Sequence, residues 1–270
     1  MTERIPPTRI EQNRPINMFV EAYARWHRKA DVQGVENIRS IKELLDQGVP
    51  VATFANHLGH LDGPFLPIEF KNISPELREV YTPIMGEVIW RNLVTRTLMH
   101  AYNGILMPSI RIRPEKEDAR GWELREKRKE SADKAAAIDL ANGRLLGLFP
   151  EGSRSREKGL KKISPNIARY LYLAPDMHVV PIGIWGSEKV FPPDTKLVFP
   201  TRFWHRPHMN VGRPISVQEL EARVGESESK VENDQKLVDE LMYEVAQLLP
   251  EEYRGHYSAR PEGEDHLPLQ

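Results

Sequence analysis

Apolar runs of strand length alternate with amphipathic segments along most of the chain. Val51 to Ala55, Gly104 to Met107, Leu145 to Phe149 and Val179 to Ile184 are nearly continuous apolar stretches, and Val80 to Met85 has strand character. Between them apolar positions recur at helical spacing. They do so over Ile38 to Gln47 ahead of Gly48, over Gly63 to Phe70, and over Glu87 to Tyr102 through Val88, Ile89, Leu93, Val94 and Leu98. A charged stretch from Glu115 gains a helical face from Ala135, Ala136, Ala137, Ile138 and Leu140, with Gly143 as its stop. The pattern predicts a further helix over 165–173, strands near 196–199 and 209–212, and two closing helices, the last over 230–249 before Pro250. Buried strands joined by helices imply βαβ units. The expected fold is α/β, a mostly parallel central sheet flanked by helices. In such sheets ligands sit beyond the carboxyl ends of strands, which directs attention to the loops after Ala55, Phe149 and Ile184.

The amino terminus departs from this alternation. Pro6, Pro7 and Pro15 each remove a donor and restrict the preceding residue, so residues 1–15 read as a flexible lead-in. From Ile16 to Ala30 the residues Met18, Phe19, Ala22, Tyr23 and Trp26 share one helical face, and Arg25, Arg28 and Lys29 gather near the end. This predicts an N-terminal amphipathic helix whose apolar stripe packs onto the body, with contact to a membrane surface as the less favoured reading. A chain of 270 residues suits a single core, so 16–270 is expected to form one domain.

Composition narrows the function classes. Lys plus Arg number 38 against 39 Asp plus Glu, and no basic-aromatic platform stands out, so a nucleic-acid partner is not expected. The absence of cysteine removes disulfides, thiolate metal sites and cysteine nucleophiles together. No stretch approaches the roughly twenty apolar residues of a membrane span, and the first residues lack a signal-peptide core. The expectation is a cytoplasmic protein that meets any lipid substrate from the side, at the inner face of the membrane.

The densest local chemistry is Asn56-His57-Leu58-Gly59-His60-Leu61-Asp62, directly after an apolar run. Five residues on an ideal helix turn through about 140°, so His57 and Asp62 meet only if one lies outside the helix. Gly59 permits a bend and Pro64 suits a first helical turn, which places His57 in the loop and Asp62 at the helix start. A carboxylate there can fix the imidazole tautomer and stabilise the cation formed when His57 takes a proton from a hydroxyl. A bare helix cap uses the same residue types, and His57, His60 and Asp62 could also imitate a two-histidine, one-carboxylate metal site.

A basic turn follows the run Leu145 to Phe149: Phe149-Pro150-Glu151-Gly152-Ser153-Arg154-Ser155-Arg156, then Lys158, Lys161 and Lys162. Gly152 allows close backbone approach, and the Arg154 guanidinium can grip a phosphate with two directed hydrogen bonds. Glu151, acidic amid cations, is read as orienting a hydroxyl or an arginine.

In order and spacing these segments resemble the glycerolipid acyltransferase family, typified by 1-acylglycerol-3-phosphate acyltransferases. His57 and Asp62 match its H-x-x-x-x-D block, Phe149 to Ser155 its F-P-E-G-[ST]-R-S block, and Val179-Val180-Pro181-Ile182-Gly183 its fourth block. Val32 to Asn37 is similar as well, and the likeness covers roughly residues 30–215. The second block departs: Gly104-Ile105-Leu106-Met107-Pro108-Ser109 is followed by Ile110 where the family carries arginine, with Arg111 one residue later and Arg113 as the alternative.

The resemblance implies a fatty acyl transfer from acyl-CoA or acyl carrier protein to the hydroxyl of a lysophospholipid, with 1-acylglycerol-3-phosphate giving phosphatidic acid. It casts His57 and Asp62 as catalytic, and Glu151, Gly152, Ser153, Arg154 and Arg111 as the acceptor phosphate site. No metal or resident cofactor is implied. No G-x-S-x-G elbow is present, so direct transfer is expected rather than an acyl-enzyme. Rival readings are an enzyme for another acceptor, a metal-dependent hydrolase, and a lipid-binding protein without turnover.

Overall fold

The computed structural model describes residues 7–26, 30–59, 62–87, 90, 93–108, 119–155, 157–190, 205–225 and 227–260. Among the described residues nine strands form one mixed sheet: β1 (Arg9–Ile10), β2 (Asp31–Gln33), β3 (Val51–Ala55), β4 (Tyr81–Gly86), β5 (Gly104–Met107), β6 (Leu145–Leu148), β7 (His178–Trp185), β8 (His208–Val211) and β9 (Ile215–Ser216). Their spatial order is β1-β5-β4-β6-β3-β7-β8-β2, with β9 also on β7. The central run β5-β4-β6-β3-β7 is parallel throughout, while β1, β8 and β9 join it antiparallel. The α/β, mostly parallel architecture expected from the apolar runs is what forms.

Alternation along the buried strands divides the core between two faces. Ala52, Phe54, Leu146, Leu148 and Val179 pack on one side with Ala132, Ala136, Leu237, Leu241 and Val245, from α6 (Ala119–Ala141) and α9 (Lys230–Gln247). Val51, Ala55, Leu145, Val180 and Ile182 pack on the other, against Ile38 and Ile41 of α2 (Val35–Asp46) and Leu66 and Phe70 of α3 (Asp62–Ile73). All five residues of β3 are buried, since the strand lies mid-sheet with helices above and below.

Several elements differ from the pattern-based reading. Within the proposed lead-in, Arg9–Ile10 pairs with β5, Ile10 is buried, and Arg9 bridges Asp139 at 2.8 Å. A short helix, α4 (Pro75–Val80), precedes β4, too brief to show a helical period. Of the helix expected over 87–102, α5 (Leu93–Met99) is the regular part among the described residues. Residues 165–172 form a 3-10 helix rather than an α-helix. A short helix, α7 (Ser187–Val190), follows β7, and three helices follow β9: α8 (Val217–Val224), α9, which ends at Gln247 ahead of Pro250, and α10 (Glu251–Arg254), which Pro250 precedes. The strand expected near 196–199 lies outside the described residues.

The N-terminal helix α1 (Arg14–Trp26) forms, but not in the expected orientation. Val20 and Ile16 pack against Ala101 and Tyr102, and the buried Asn17 side chain donates to the Ala101 carbonyl at 2.6 Å. Met18 and Phe19, expected to dock, are 69% and 61% exposed. Among the described side chains, the Asn17 hydrogen bond and the packing of Val20 and Ile16 set the rotation of the helix, which hydrophobic periodicity alone cannot do.

Candidate active site

The site gathers at the carboxyl ends of β6, β3 and β7, three neighbours in the middle of the sheet. Past β3, the fully buried Asn56 closes onto β7: its side-chain amide donates to the Ile184 carbonyl at 2.8 Å and its oxygen accepts the Ile184 N–H at 2.6 Å. The next residue is therefore delivered from a rigid platform. The His57 N–H donates to Glu151 Oε1 at 3.1 Å and its carbonyl accepts the Ser155 N–H at 2.8 Å, so the loop after β6 grips the main chain on both sides of the imidazole. The ring lies against Phe149 with centroids 4.6 Å apart.

Asp62 opens α3, with Pro64 two residues inside the first turn. Its side chain is wholly buried, and Oδ2 stands 2.9 Å from His57 Nδ1. The same oxygen accepts the N–H groups of Leu58 at 2.6 Å and Gly59 at 2.7 Å. An oxygen receiving two main-chain donors acts as an acceptor, so Nδ1 carries the proton and Nε2 is the basic nitrogen. The ring remains 22% exposed, which leaves this pair partly open to an incoming molecule. Gly59 lies close to Ser187 at the start of α7: a Cβ there would stand 3.0 Å from Ser187 Oγ and 3.2 Å from the Ser187 main chain, so a side chain would have to push this contact back by a few tenths of an ångström.

The Glu151 carboxyl is mostly buried, and burial pushes its pKa up to about 7 although the His57 N–H and the Lys161 charge favour ionisation; Asp62 adds to the rise. Oε2 is buried without a hydrogen-bond partner among the described residues.

The sequence profile of the family described as Acyltransferase matches residues 29–185, more than half of the chain and every strand from β3 to β7. The chain belongs to the acyltransferase family. No curated protein matches it.

Within this acyltransferase, His57, Asp62 and Glu151 come together as one hydrogen-bonded unit. Gly152, at φ 60°, is exposed, while Ser153 and Arg154 are half-buried in the same loop. Arg111 and its alternative Arg113 lie outside the described residues, as does His60, which the metal reading needs. Among the described residues no cluster of His, Cys, Asp or Glu is arranged to hold a metal ion.

Glu151, read from the sequence as orienting a hydroxyl or an arginine, also accepts the His57 main-chain N–H at Oε1. Among the described residues of the first block, whose main-chain donors are natural candidates for stabilising an oxyanion, the N–H groups of His57, Leu58 and Gly59 all point at carboxylates. Asn56 and Ser155 were passed over as functional positions. Asn56 adjoins the histidine at a strand end, and a polar residue there, about to be buried, was the available signal.

Proposed function

We propose that this acyltransferase moves a fatty acyl group from a thioester, acyl-CoA or acyl carrier protein, to a lipid hydroxyl, with 1-acylglycerol-3-phosphate as acceptor and phosphatidic acid as product. The observation that carries the reading is the His57–Asp62 contact of 2.9 Å, with Nδ1 committed to the buried carboxylate. His57 Nε2 then takes the proton of the acceptor hydroxyl as its oxygen attacks the thioester carbonyl. Collapse of the tetrahedral adduct breaks the carbon–sulfur bond, and the departing thiolate recovers the proton from His57. Asp62 keeps the ring in one tautomer and stabilises the imidazolium between these steps. Glu151 acts on the base indirectly, by holding its main-chain N–H. Arg154, with Gly152 and Ser153, serves the acceptor phosphate, and Arg111 joins them.

A second acceptor class has an observation in its favour. Ile110 occupies the position where the family carries arginine, which suits glycerol 3-phosphate, another lysophospholipid or a glycolipid held by different contacts. The acceptor is met at a membrane surface: no helix among the described residues is long and apolar enough to span a bilayer, while Met18 and Phe19 of α1 and Leu93 of the neighbouring α5 are largely exposed.

The test is thiol release from palmitoyl-CoA in the presence of a panel of lysolipids, followed with a thiol reagent. The protein has no cysteine to contribute background. Wild type is expected to release thiol only with its acceptor, and His57→Ala to lose that acceptor-dependent rate by at least about a hundredfold. Equal rates would remove His57 as the base. A chelator is expected to leave the rate unchanged, whereas the hydrolase reading requires loss.

A further inference from the structure

The loop after β6 and the turn after β7, which flank His57, are both fastened to a segment beyond the family's matched region. That segment comprises α10 and the 3-10 turn Gly255–Tyr257. Tyr253 is 2% exposed, and its hydroxyl donates to Glu188 Oε1 at 2.8 Å. Its carbonyl accepts the Leu160 N–H at 3.1 Å, and the His256 N–H returns a bond to the Leu160 carbonyl at 2.8 Å. The main chains meet too closely for side chains: a Cβ on Gly255 would lie 2.4 Å from the Leu160 oxygen, and one on Gly159 would lie 2.9 Å from Gly255 Cα. Gly255 also has φ 51°, a left-handed conformation that favours glycine.

From this clasp two short chains of contacts lead to the catalytic pair. On one side, Ser155 Oγ donates to the Gly159 carbonyl at 2.9 Å, and the Ser155 N–H bonds the His57 carbonyl at 2.8 Å. On the other, Glu188 follows Ser187, the residue packed on Gly59, whose N–H is one of the donors to Asp62. We infer that Tyr253 is a positioning residue for acyl transfer, fixing through Glu188 and Leu160 the two loops that hold His57 against Asp62. The inference rests on His57 as the base, and makes a segment outside residues 29–185 part of the working site.

Tyr253→Phe removes the hydroxyl and keeps the buried ring. It strands the Glu188 carboxylate, whose Oε2 already has no partner among the described residues. The double variant Tyr253→Phe/Glu188→Gln removes that stranded charge, so it restores stability without restoring the tie. Two readouts are taken on the full-length chain: amide hydrogen exchange by mass spectrometry, and kcat and KM with palmitoyl-CoA and 1-acylglycerol-3-phosphate. In both variants exchange is expected to rise about tenfold at 56–59, on the side of the severed Glu188 tie, and to stay at the wild-type rate within β3 and at 155–160, where the Tyr253 carbonyl still holds the Leu160 N–H. kcat is expected to fall about tenfold with KM nearly constant, and to stay low in the double variant after its melting temperature recovers. Wild-type exchange at 56–59 in Tyr253→Phe overturns the inference, and so does a kcat that returns together with stability. If the wild type does not use this acceptor, the exchange result alone decides the matter. A fully active His57→Ala would instead remove the catalytic reading and leave the exchange result standing.

Discussion

Replacing Glu151 by glutamine keeps the length of the side chain and an acceptor oxygen for the His57 N–H, but abolishes ionisation. Burial raises the pKa of this carboxyl from 4.5 to about 7 in the folded protein, with Lys161 opposing the rise and Asp62 adding to it. In the unfolded chain the group titrates near its ordinary value. A folded-state pKa above the unfolded one means that the stabilising contribution is complete below about pH 4.5 and is lost as pH climbs through about 7. Over that interval the loss amounts to about 3 kcal/mol. Glutamine has no proton to release, so the stability difference between Glu151→Gln and wild type should widen with pH. It should be under about 1 kcal/mol at pH 5 and about 3 kcal/mol in favour of the variant at pH 8. Urea unfolding followed by tryptophan fluorescence at both pH values measures this, and the other titrating groups, common to both proteins, cancel in the difference. An equal difference at pH 5 and pH 8 would show that Glu151 ionises normally and that the electrostatic account of its burial is wrong.

Three further substitutions probe the same architecture. Asp62→Asn removes the charge that faces the imidazole and should lower kcat by about a hundredfold or more while the protein stays folded by circular dichroism; an unchanged kcat would show that the carboxylate serves only the loop. Asn56→Ala leaves the buried N–H and carbonyl of Ile184 without their partner and should reduce the unfolding free energy by about 2–4 kcal/mol; in urea titration, a loss below about 1 kcal/mol would mean that water replaces the amide. Gly147→Ala would set a Cβ 1.9 Å from the Tyr81 hydroxyl, between two strands that cannot part, so a loss of about 1–3 kcal/mol is expected in thermal unfolding, and full stability would mean that Tyr81 moves freely.

Much of this molecule was legible in its residues. The nearly continuous apolar runs at Val51 to Ala55, Leu145 to Phe149 and Val179 to Ile184 became the central parallel strands, because a strand covered on both faces disfavours polar alternation. Gly143, at φ 70°, ends α6 where a left-handed residue was expected. The five-residue separation of His57 and Asp62, with Gly59 and Pro64, determined that one side chain stands in a loop and the other at a helix start.

Tertiary structure decided the rest, for identifiable reasons. β1, β2, β9 and α4 are shorter than any periodic signal, and exist because a neighbouring edge or helix supplies their hydrogen bonds. The rotation of α1 follows from Asn17 meeting the Ala101 carbonyl, a contact across 84 positions. Glu151 was recognisable as a functional residue, but its hold on His57 spans 94 positions and uses a main-chain N–H, which every residue except proline possesses. Side-chain chemistry is written in the choice of residue, whereas the main-chain groups it will meet are set only when the strands align, and so the catalytic pair could be read from the sequence while the contacts that hold it in place could not.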